Sequence, residues 1–544
     1  MAGTTAPLVN GAPAPWGDLG SLLDDVAATA LPDVGVTIDD RFESYAILRE
    51  STLRIASGLQ GRGVGPGKRV CTLLQTRIEV LHIWFGTVMT GAVWVPLNTG
   101  LQGDDLRHIL QDAEPDVIVA DGEGWAKIGA CGFQSALAPD MRFTVEADSG
   151  FGDAHSFDEL RSNDPDWVRP CVIYSDPAVI IYTGGTTGLP KGVVLPHFAM
   201  ICGGIRYGEA FAATSADRHF SVSPLFHAGG LTIAVLGPMI ARMHTTVDRT
   251  FSVSGYWARV RESRATLINP IGVILTMLCR QPTSDEDRNH SVRACLGVTG
   301  QLPDGVPAEF SRRFGIEIVN IYSLSEASGA LMVYNHLGSS TPAANGKGRH
   351  WADVAILDKT GNLLPAGALG EIALRPKIPF TFMLGYHRNP VRTLEVFSNL
   401  WLHTGDLGYL DHDGFLFFEG REAHWLRRRG ENISCYEVEA IIAQHPGVDE
   451  VAVVGTPAEI GEEDVKVFIV TKADVRIDPA DFIHWCAARM AAFKVPRFVE
   501  FVSTLPRSTA KREVERHVLR AMPNDGAWDR EKVFGRKIPA APRS

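Results

Sequence analysis

The sequence predicts an α/β protein with a large N-terminal domain of layered sheets, a β-hairpin or barrel-like region at the end of that domain, and a small α+β C-terminal domain. Short apolar runs alternate with helix-like stretches in the first half, alternating hairpin patterns begin at about residue 350, and a segment with its own helix-start signals follows Arg421. The length of 544 residues exceeds one core of typical size, so we expect two or more domains.

The strands of the first half are predicted from apolar runs bounded by glycine, proline or aspartate. These runs read "RVCTLLQ", "AVWVPLN", "DVIVADG" and "PAVIIYTGG". Helix-like stretches separate them, and this alternation is typical of a mostly parallel sheet with helices packed on it.

Hairpins are predicted in the region from about residue 350. "ADVAILDKTGNLLPAGALGEIALRP" alternates apolar and polar residues around a Thr-Gly turn, and "GYLDHDGFLFFEG" does the same around Asp413 and Gly414. This region is therefore expected to be antiparallel.

A small separate domain is predicted after Arg421. Ser434 and Glu437 match the Ser-x-x-Glu capping box, and Asp478-Pro479 is typical of another helix start. Strands are predicted in "EVAVVG", "VKVFIV" and "RFVEFV". We expect a large domain over residues 1–421, a small domain over 422–525 and a flexible tail over 526–544.

Composition narrows the class of partner. The net charge of −11 gives no overall positive field for a polyanion, so we expect no nucleic-acid partner. The eight cysteines are scattered without Cys-x-x-Cys pairs, which favours reduced thiols in a cytoplasmic protein. No basic segment precedes an apolar one at the start and no apolar run approaches 18 residues, so neither export nor a membrane span is predicted.

The stretch "YTGGTTGLPKG", residues 182 to 192, is suited to phosphate binding. It is not a Walker loop, because Leu-Pro separates Gly188 from Lys191. Its glycines let backbone amides approach anionic oxygens, its threonines add hydroxyl donors and its lysine adds charge. The residues of this candidate site are Thr183, Gly184, Gly185, Thr186, Thr187, Gly188 and Lys191. The alternative is a glycine-rich turn after a strand.

This loop closely resembles the signature loop of the adenylate-forming superfamily, which includes acyl-CoA synthetases, firefly luciferase and the adenylation domains of peptide synthetases. The resemblance continues in order through "NIYSLSEAS", "WLHTGDLGYL", "EGREAHWLRRRGENIS" and "AAFKVPRFVEF". It implies that ATP, Mg²⁺ and CoA are bound. In that family a carboxylate attacks the α-phosphate of ATP to give an acyl-adenylate, and a thiol then displaces AMP.

The resemblance also implies roles for residues of the nucleotide site. The loop would hold the β- and γ-phosphates, with Thr187 and Lys191 acting in catalysis. Glu326 is the expected Mg²⁺ ligand, since a hard cation prefers carboxylate oxygens; the alternative is a surface glutamate at a helix start. Asp406 and Arg421 resemble the pair that binds the ribose. The residues expected beside the adenine and the phosphates are Thr299, Gly300, Gln301, Tyr322 and Ser325.

The acyl pocket is expected at "PLFHAGGL" and after Glu326. His227 matches a position next to the acyl carboxylate, where it could contact that group or swing aside to admit the thiol; a core histidine is the alternative. No acidic residue follows His227 to bind an amino group, and "NPIGVILTMLC" supplies an apolar wall, so a hydrophobic or aromatic acid is favoured. The pocket residues are His227, Ala228, Gly229, Gly230, Ser328 and Gly329.

Three departures from the family pattern fall on the two half-reactions. Ala423 stands where the hinge residue is usually aspartate or lysine. Arg429 replaces a glycine before Gly430 in the loop that lines the CoA tunnel, and with Arg428 it would bind CoA phosphates or form a solvated basic face. Arg512 stands at the position of the C-terminal lysine, with Lys511 one residue early, and arginine lacks the compact ammonium geometry.

The resemblance and the local chemistry together predict an AMP-forming carboxylic acid:CoA ligase whose small domain is mobile. One alternative is a specialised member that performs chiefly one half-reaction, because of the departures at Ala423, Arg429 and Arg512. A second is a binding protein that has lost catalysis. A homodimer, and a partner ligase if the half-reactions are divided, stay open.

Overall fold

The computed structural model describes residues 8–9, 12–133, 137–146, 154–162, 167–183, 190–270, 272–297, 305–328, 331–339, 341–421, 425–428, 431–458, 462–506, 514 and 516–535. The strands are β1 (Leu8–Val9), β2 (Ala12–Pro13), β3 (Gly35–Ile38), β4 (Arg41–Ser44), β5 (Arg69–Leu73), β6 (Val93–Pro96), β7 (Val117–Ala120), β8 (Arg142–Thr144), β9 (His155–Ser156), β10 (Pro177–Thr183), β11 (Lys191–Pro196), β12 (Arg218–Ser221), β13 (His244–Val247), β14 (Leu267–Ile268), β15 (Ala294–Gly297), β16 (Glu317–Tyr322), β17 (Val333–Tyr334), β18 (Ala352–Leu357), β19 (Gly370–Pro376), β20 (Gly385–Tyr386), β21 (Phe397–Ser398), β22 (Trp401–Leu410), β23 (Leu416–Arg421), β24 (Trp425–Arg428), β25 (Glu431–Ser434), β26 (Val448–Pro457), β27 (Glu463–Thr471), β28 (Phe498–Phe501) and β29 (Trp528–Asp529).

The α-helices are α1 (Leu19–Thr29), α2 (Tyr45–Gly61), α3 (Ile78–Met89), α4 (Gly103–Ala113), α5 (Gly122–Ala130), α6 (His197–Phe211), α7 (Gly237–Ile240), α8 (Tyr256–Glu262), α9 (Val273–Cys279), α10 (Val306–Phe314), α11 (Pro390–Val396), α12 (Cys435–Ile442), α13 (Pro479–Ala487), α14 (Arg516–Ala521) and α15 (Arg530–Phe534). A π-helical segment covers Gly230–Leu236, and short 3-10 helices include Ser325–Ala327 and Ala492–Lys494.

Two eight-stranded sheets form the layers of the large domain. The first has the order β20-β11-β10-β6-β5-β7-β8-β9 and the second the order β17-β16-β15-β14-β12-β13-β3-β4. The pairs β5–β6, β5–β7 and β6–β10 are parallel, which confirms the four strands and the mostly parallel sheet predicted for the first half. One core cluster draws side chains from both sheets, such as Val119 and Val319, together with Trp84 of α3.

Helix α6 packs closely on the π-helical segment. A Cβ atom added at Gly203 would lie 2.7 Å from Cγ2 of Thr232, closer than two carbon atoms can approach. Glycine at this position therefore lets the two backbones meet.

The hairpin region is antiparallel as predicted. Strands β18 and β19 pair over six residues each, and β22 pairs with both β19 and β23. The turn between β22 and β23 uses Gly414 at φ +79°, and the side chain of Asp411 accepts hydrogen bonds from the amides of Asp413 and Phe415. The sheet formed by β18, β19, β22, β21 and β23 confirms the hairpin texture that begins at about residue 350.

The C-terminal domain has an α+β fold around its own core. Its four-stranded sheet has the order β26-β27-β28-β29, and its core includes Val438, Val453 and Phe482. The Ser434 hydroxyl accepts from the amide of Glu437, and the Asp478 carboxylate caps α13. Only half of the predicted capping box forms, because the Glu437 carboxylate binds Lys494.

The predicted flexible tail over residues 526–544 is wrong for its first part. Trp528 and Asp529 form β29 against β28, and α15 follows with a fully buried Arg530. Oδ1 of Asp529 lies 3.3 Å from Nε of Arg497. This ion pair with a residue far away in the sequence orders a segment that has little apolar patterning of its own. The remaining residues, 536–544, lie outside the described part.

Among the residues that the structure covers, no helix has both the length and the apolar character that a bilayer crossing requires.

We expect Asp529→Ala to lower the free energy of unfolding by about 2 kcal/mol, because it removes both the N-cap of α15 and a buried partner of Arg497. Chemical denaturation followed by tryptophan fluorescence would measure this loss. Lys532→Ala, at an exposed position of the same helix, is the control and should change stability by less than about 0.5 kcal/mol. Equal effects of the two substitutions would contradict an ordered role for this segment.

Candidate active site

The predicted phosphate loop connects two paired strands. Thr183 ends β10, Lys191 begins β11, and the two residues are directly opposite in the antiparallel ladder. Gly184, Gly185, Thr186, Thr187 and Gly188 lie outside the described residues. The strand pair holds both ends of the loop together.

Lys191 and Glu326 meet at Tyr386. The Tyr386 hydroxyl donates to Oε1 of Glu326 at 2.7 Å, and Nζ of Lys191 lies 5.5 Å from the centre of the Tyr386 ring. The pKa of Lys191 is lowered to about 8, because its burial and the charge of Arg392 outweigh the opposing carboxylates of Glu326 and Glu395. Lys191, which was predicted to bind phosphate, and Glu326, which was predicted to bind the metal ion, therefore both lie next to Tyr386.

Glu326 is held in a short 3-10 turn that also contains Ser325. The backbone carbonyl of Glu326 accepts from the amide of Met383 at 2.8 Å, which fixes the turn against the segment that leads into β20 and Tyr386. The described residues contain no cluster of three or more metal-ligating side chains. A single carboxylate fits Mg²⁺, because this ion is commonly held by one or two carboxylates together with substrate phosphates and water.

Tyr322 and Asp406 also meet. Tyr322 ends β16, and its hydroxyl donates to Oδ2 of Asp406 in β22 at 2.7 Å. Its ring lies 5.9 Å from that of Phe418. Arg421 is directly opposite Asp406 in the β22–β23 ladder, so the two predicted ribose-binding residues are neighbours in the backbone. Thr299, Gly300 and Gln301 lie outside the described residues.

His227 contacts the small domain. Its Nε2 lies 3.2 Å from Oε1 of Glu431, the first residue of β25, and the side-chain amide of Asn98 donates to the same oxygen at 3.2 Å. Burial would lower the pKa of His227, but the charge and hydrogen bond of Glu431 raise it above its ordinary value. The pKa of Glu431 is lowered, because His227 and Asn98 outweigh its burial.

The small residues after His227 begin a helical stretch. Ala228 and Gly229 lead into the π-helical segment at Gly230, and the amide of Leu231 donates to the carbonyl of His227. On the other side of the predicted pocket, Ser328 is fully buried at φ +70°. Gly329 lies outside the described residues.

Arg206 is a fully buried residue that contacts the predicted pocket residue Ser328 and that sequence reasoning missed. Its Nη1 donates to the hydroxyl of Ser328 at 2.8 Å, from α6. In the predicted apolar wall, by contrast, Leu275 and Leu278 belong to a core cluster with Phe310 and Phe314, so these two leucines serve the core.

Arg428 faces inward, which fits neither the predicted contact with CoA phosphates nor the alternative of a solvated basic face. It is buried, with Nε 3.0 Å from Asp464, and its Nη1 donates to the carbonyls of Phe493 and Val495. These partners are far from it in the sequence, which is why a run of arginines resembled a solvated basic face. Arg429 and Gly430 lie outside the described residues, as do Ala423, Lys511 and Arg512.

The two domains are joined by a buried ion cluster. Nζ of Lys494 in the small domain lies 2.7 Å from Oδ2 of Asp105 in α4 and also contacts Glu437. Gln102, beside Asp105, donates to the carbonyl of Met490 at 2.6 Å. The pKa of Glu437 is raised, because its burial and the neighbouring charge of Asp105 outweigh the opposing effect of the Lys494 ammonium.

Sequence reasoning missed Tyr386, Glu431 and Lys494 as well, although the last two lie in motifs that it had singled out. Glu431 and Lys494 stand within the quoted motifs "RGENIS" and "AAFKVPRFVEF". Tyr386 is revealed only by the pairing of β20 with β11, which brings residues almost two hundred positions apart together.

Comparisons with known proteins agree with this geometry. Residues 24–387 match the family model described as AMP-binding enzyme, and residues 437–512 match the model of the AMP-binding enzyme C-terminal domain. The crotonobetaine/carnitine–CoA ligase of Shigella dysenteriae serotype 1 (strain Sd197) is 29% identical over 516 residues, covering 92% of this chain and 98% of that protein. The protein of the same name from Salmonella agona (strain SL483) is 28% identical over 519 residues, with the same coverage.

Solved structures share the fold. The o-succinylbenzoate CoA synthetase of Bacillus subtilis, a double mutant bound to a product analogue, has a TM-score of 0.81 at 24% identity, covering 92% of this chain and 98% of that one. The amide bond synthetase of Marinactinospora thermotolerans has a TM-score of 0.80 at 24% identity, covering 93% and 99%. A benzoate CoA ligase of Burkholderia xenovorans LB400 has a TM-score of 0.67 at 22% identity, covering 93% and 100%.

The first family model spans well over half of the chain, the second spans most of the small domain, and the layered fold is that of the solved structures. The chain therefore belongs to the AMP-binding enzyme family, within the adenylate-forming superfamily of AMP-dependent acyl-CoA synthetases that its motifs resemble.

Proposed function

We propose that this protein is an AMP-forming carboxylic acid:CoA ligase that acts on an acid with a hydrophobic or aromatic body. The observation that carries the proposal is the convergence of Lys191, Tyr386 and Glu326 beside the two strand ends that hold the glycine-rich loop. The relatives named crotonobetaine/carnitine–CoA ligase support the general reaction. Their named substrates are candidates for the acid.

In the first half-reaction, a carboxylate oxygen of the acid forms a bond to the α-phosphorus of ATP, and the bond from that phosphorus to pyrophosphate breaks. Such a step needs charge stabilisation more than a side-chain nucleophile. Lys191 supplies positive charge at the end of the loop, where Thr183, Gly184, Gly185, Thr186, Thr187 and Gly188 would surround the phosphates. A Lys191 pKa of about 8 keeps most of the ammonium charged at neutral pH.

Glu326 would hold Mg²⁺. The bound ion would neutralise phosphate charge as it develops. Tyr386 orients the Glu326 carboxylate through its hydroxyl, while Tyr322 orients Asp406 toward the ribose site that Asp406 and Arg421 would form. Thr299, Gly300, Gln301 and Ser325 complete the proposed nucleotide site.

In the second half-reaction, the sulfur of CoA forms a bond to the acyl carbon, the bond from that carbon to the phosphate oxygen of AMP breaks, and the thiol proton is released as AMP leaves. The contact between His227 and Glu431 supports this step, because it ties the imidazole to the first residue of β25, immediately after the loop that contains Arg429 and Gly430. An imidazole held by Glu431 is drawn toward the small domain, which supports the proposal that His227 moves aside for the thiol.

Two other functions are distinguished by separate assays. A member specialised for one half-reaction is suggested by Ala423, Arg429 and Arg512, and either Lys511 or Arg512 would serve as the cation of the adenylation step. A non-catalytic binding protein is disfavoured by the joint presence of Lys191, Glu326 and Asp406. A cytoplasmic location, a homodimer and a partner ligase remain predictions.

We expect Glu326→Gln to lower acyl-adenylate formation at least about 100-fold, because it removes the charge that would hold Mg²⁺. Mass spectrometry of acyl-AMP formed from ATP and a panel of aromatic, aliphatic and polycyclic acids, carnitine and crotonobetaine included, measures this step without CoA. Preformed acyl-adenylate with CoA then measures the second step alone. Glu309→Gln, at a glutamate on α10 that pairs with Arg312, is the control and should retain activity.

Formation of both products by the wild type supports a conventional ligase, and formation of only one supports the specialised member. If the wild type forms neither product from any acid, or if Glu326→Gln binds and reacts like the wild type, the proposed ligase is wrong.

We expect Glu431→Gln to bring the pKa of His227 below its ordinary value, because burial and Arg427 would then act without the opposing carboxylate. Below the raised pKa of His227 the charged pair with Glu431 is present, and it is lost as the pH rises through that value. NMR titration of ¹³C-labelled histidine measures the shift, with His227→Asn identifying the resonance. An unchanged pKa would contradict the contact between the two domains at this point.

A further inference from the structure

The hydrogen bond between Asp105 and Lys494 crosses from the large domain to the small one. Asp105 lies in α4, its side chain is 3% exposed, and its Oδ2 accepts from Nζ of Lys494 at 2.7 Å. Glu437, the other carboxylate that contacts this ammonium, belongs to the small domain itself. Separation of the two domains would therefore leave Lys494 with Glu437 and would take the ammonium away from Asp105.

The arrangement that forms this pair also brings the loop predicted to line the CoA tunnel to His227. Glu431 directly follows that loop, lies 3.2 Å from His227 and accepts from the side-chain amide of Asn98 at 3.2 Å. Gln102 donates to the carbonyl of Met490 at 2.6 Å. One stretch of the large domain, residues 98–105, therefore holds the small domain at several points around the proposed site of thiol transfer.

The cation predicted for the adenylation step lies in a segment whose two ends pack on a different face of the small domain. Leu505 and Val514, on either side of that cation, share a core cluster with Phe468 of β27. Val467, the preceding residue of the strand, belongs to the cluster formed with α12 and α13. Because neighbouring residues of a strand point to opposite faces of a sheet, the ends of the segment lie across the sheet from the helices that flank Lys494.

The docked arrangement is therefore suited to the second half-reaction. It presents the helices and the CoA-tunnel loop of the small domain to the large domain, and it holds the ends of the adenylation segment on the opposite face of the small sheet.

Resting on the proposed ligase activity, we propose that Asp105 is a positioning residue for thiol transfer. Its pairing with Lys494 stabilises the docked arrangement, and this pair must separate before the small domain can turn for adenylation. Removing the charge of Asp105 leaves a buried ammonium with one partner fewer and lowers the docked fraction of the enzyme. The thiol-transfer step then slows while adenylation does not. A purely structural role of Asp105 would affect both half-reactions together.

Asp105→Asn tests this assignment, and Asp104→Asn is its matched control. The amide keeps the size of the carboxylate, and Asp104 is a neighbour on α4 that pairs with Arg107 and is 41% exposed. Acyl-AMP formation from ATP and acid is measured without CoA, and thioester formation is measured from preformed acyl-AMP with CoA. Hydrogen–deuterium exchange over residues 98–106 and 487–495 measures docking independently of activity.

Asp105→Asn should slow thioester formation at least about tenfold, since a buried charge loses its partner, and should leave acyl-AMP formation equal or faster. Exchange should rise in both segments at the same time. Asp105→Glu should restore part of the thioester rate. Asp104→Asn should leave both rates and the exchange unchanged.

An equal loss in both half-reactions, no loss of thioester formation, or unchanged exchange would overturn the assignment. If Asp105→Asn does not fold, Gln102→Ala decides, because it removes the neighbouring hydrogen bond to Met490 and should slow thioester formation selectively. A wild type that forms both products while Asp105→Asn slows both equally would refute the role of Asp105 and leave the ligase intact. No adenylate or thioester from any acid would refute both.

Discussion

The pairing of β10 with β11 is the constraint on which the nucleotide side of this site depends. The register that sets Thr183 opposite Lys191 closes the glycine-rich loop and fixes the lysine at its end. Because β11 also pairs with β20, the same register brings Tyr386 beside Val193 and its hydroxyl to Glu326. A slip of the register by one residue would turn every side chain of β11 to the opposite face and would separate Lys191 from Glu326.

A second constraint fixes the arrangement of the two domains. Lys494 is buried between Asp105 and Glu437. The cost of taking its ammonium charge out of water is offset only in the arrangement that brings both carboxylates to it. The pair formed by His227 and Glu431 lies at the same face of the small domain, in a half-buried position. The buried cluster gives the docked arrangement its geometry, and the half-buried pair makes that arrangement responsive to pH.

Local patterns predicted most of the fold and the ends of its elements. The four apolar runs of the first half, the turn at Gly414 and the caps at Ser434 and Asp478 are all formed by residues close in sequence, so a short window contains the physical cause. The predictions from local patterns were wrong where the residue that fixes the structure is distant in the sequence. The segment at Trp528 is ordered by Arg497, and Arg428 is drawn inward by Asp464. Arg206 was missed because one arginine in a largely apolar helix has no local signature, and its contact Ser328 is more than a hundred residues away in the sequence.

The π-helical segment Gly230–Leu236 has a consequence for how this pocket can change. A π-helical turn holds one residue more than an α-helical turn, so it sets the rotational phase between the residues before the segment and the residues after it. Deleting one residue there would favour α-helical winding and would change the position of the preceding residues, His227 among them, relative to α7. A single substitution along the segment keeps its length, whereas an insertion or a deletion changes its length and therefore its winding. We therefore expect substitutions, rather than insertions or deletions, to be the changes that this stretch of the proposed acyl pocket tolerates.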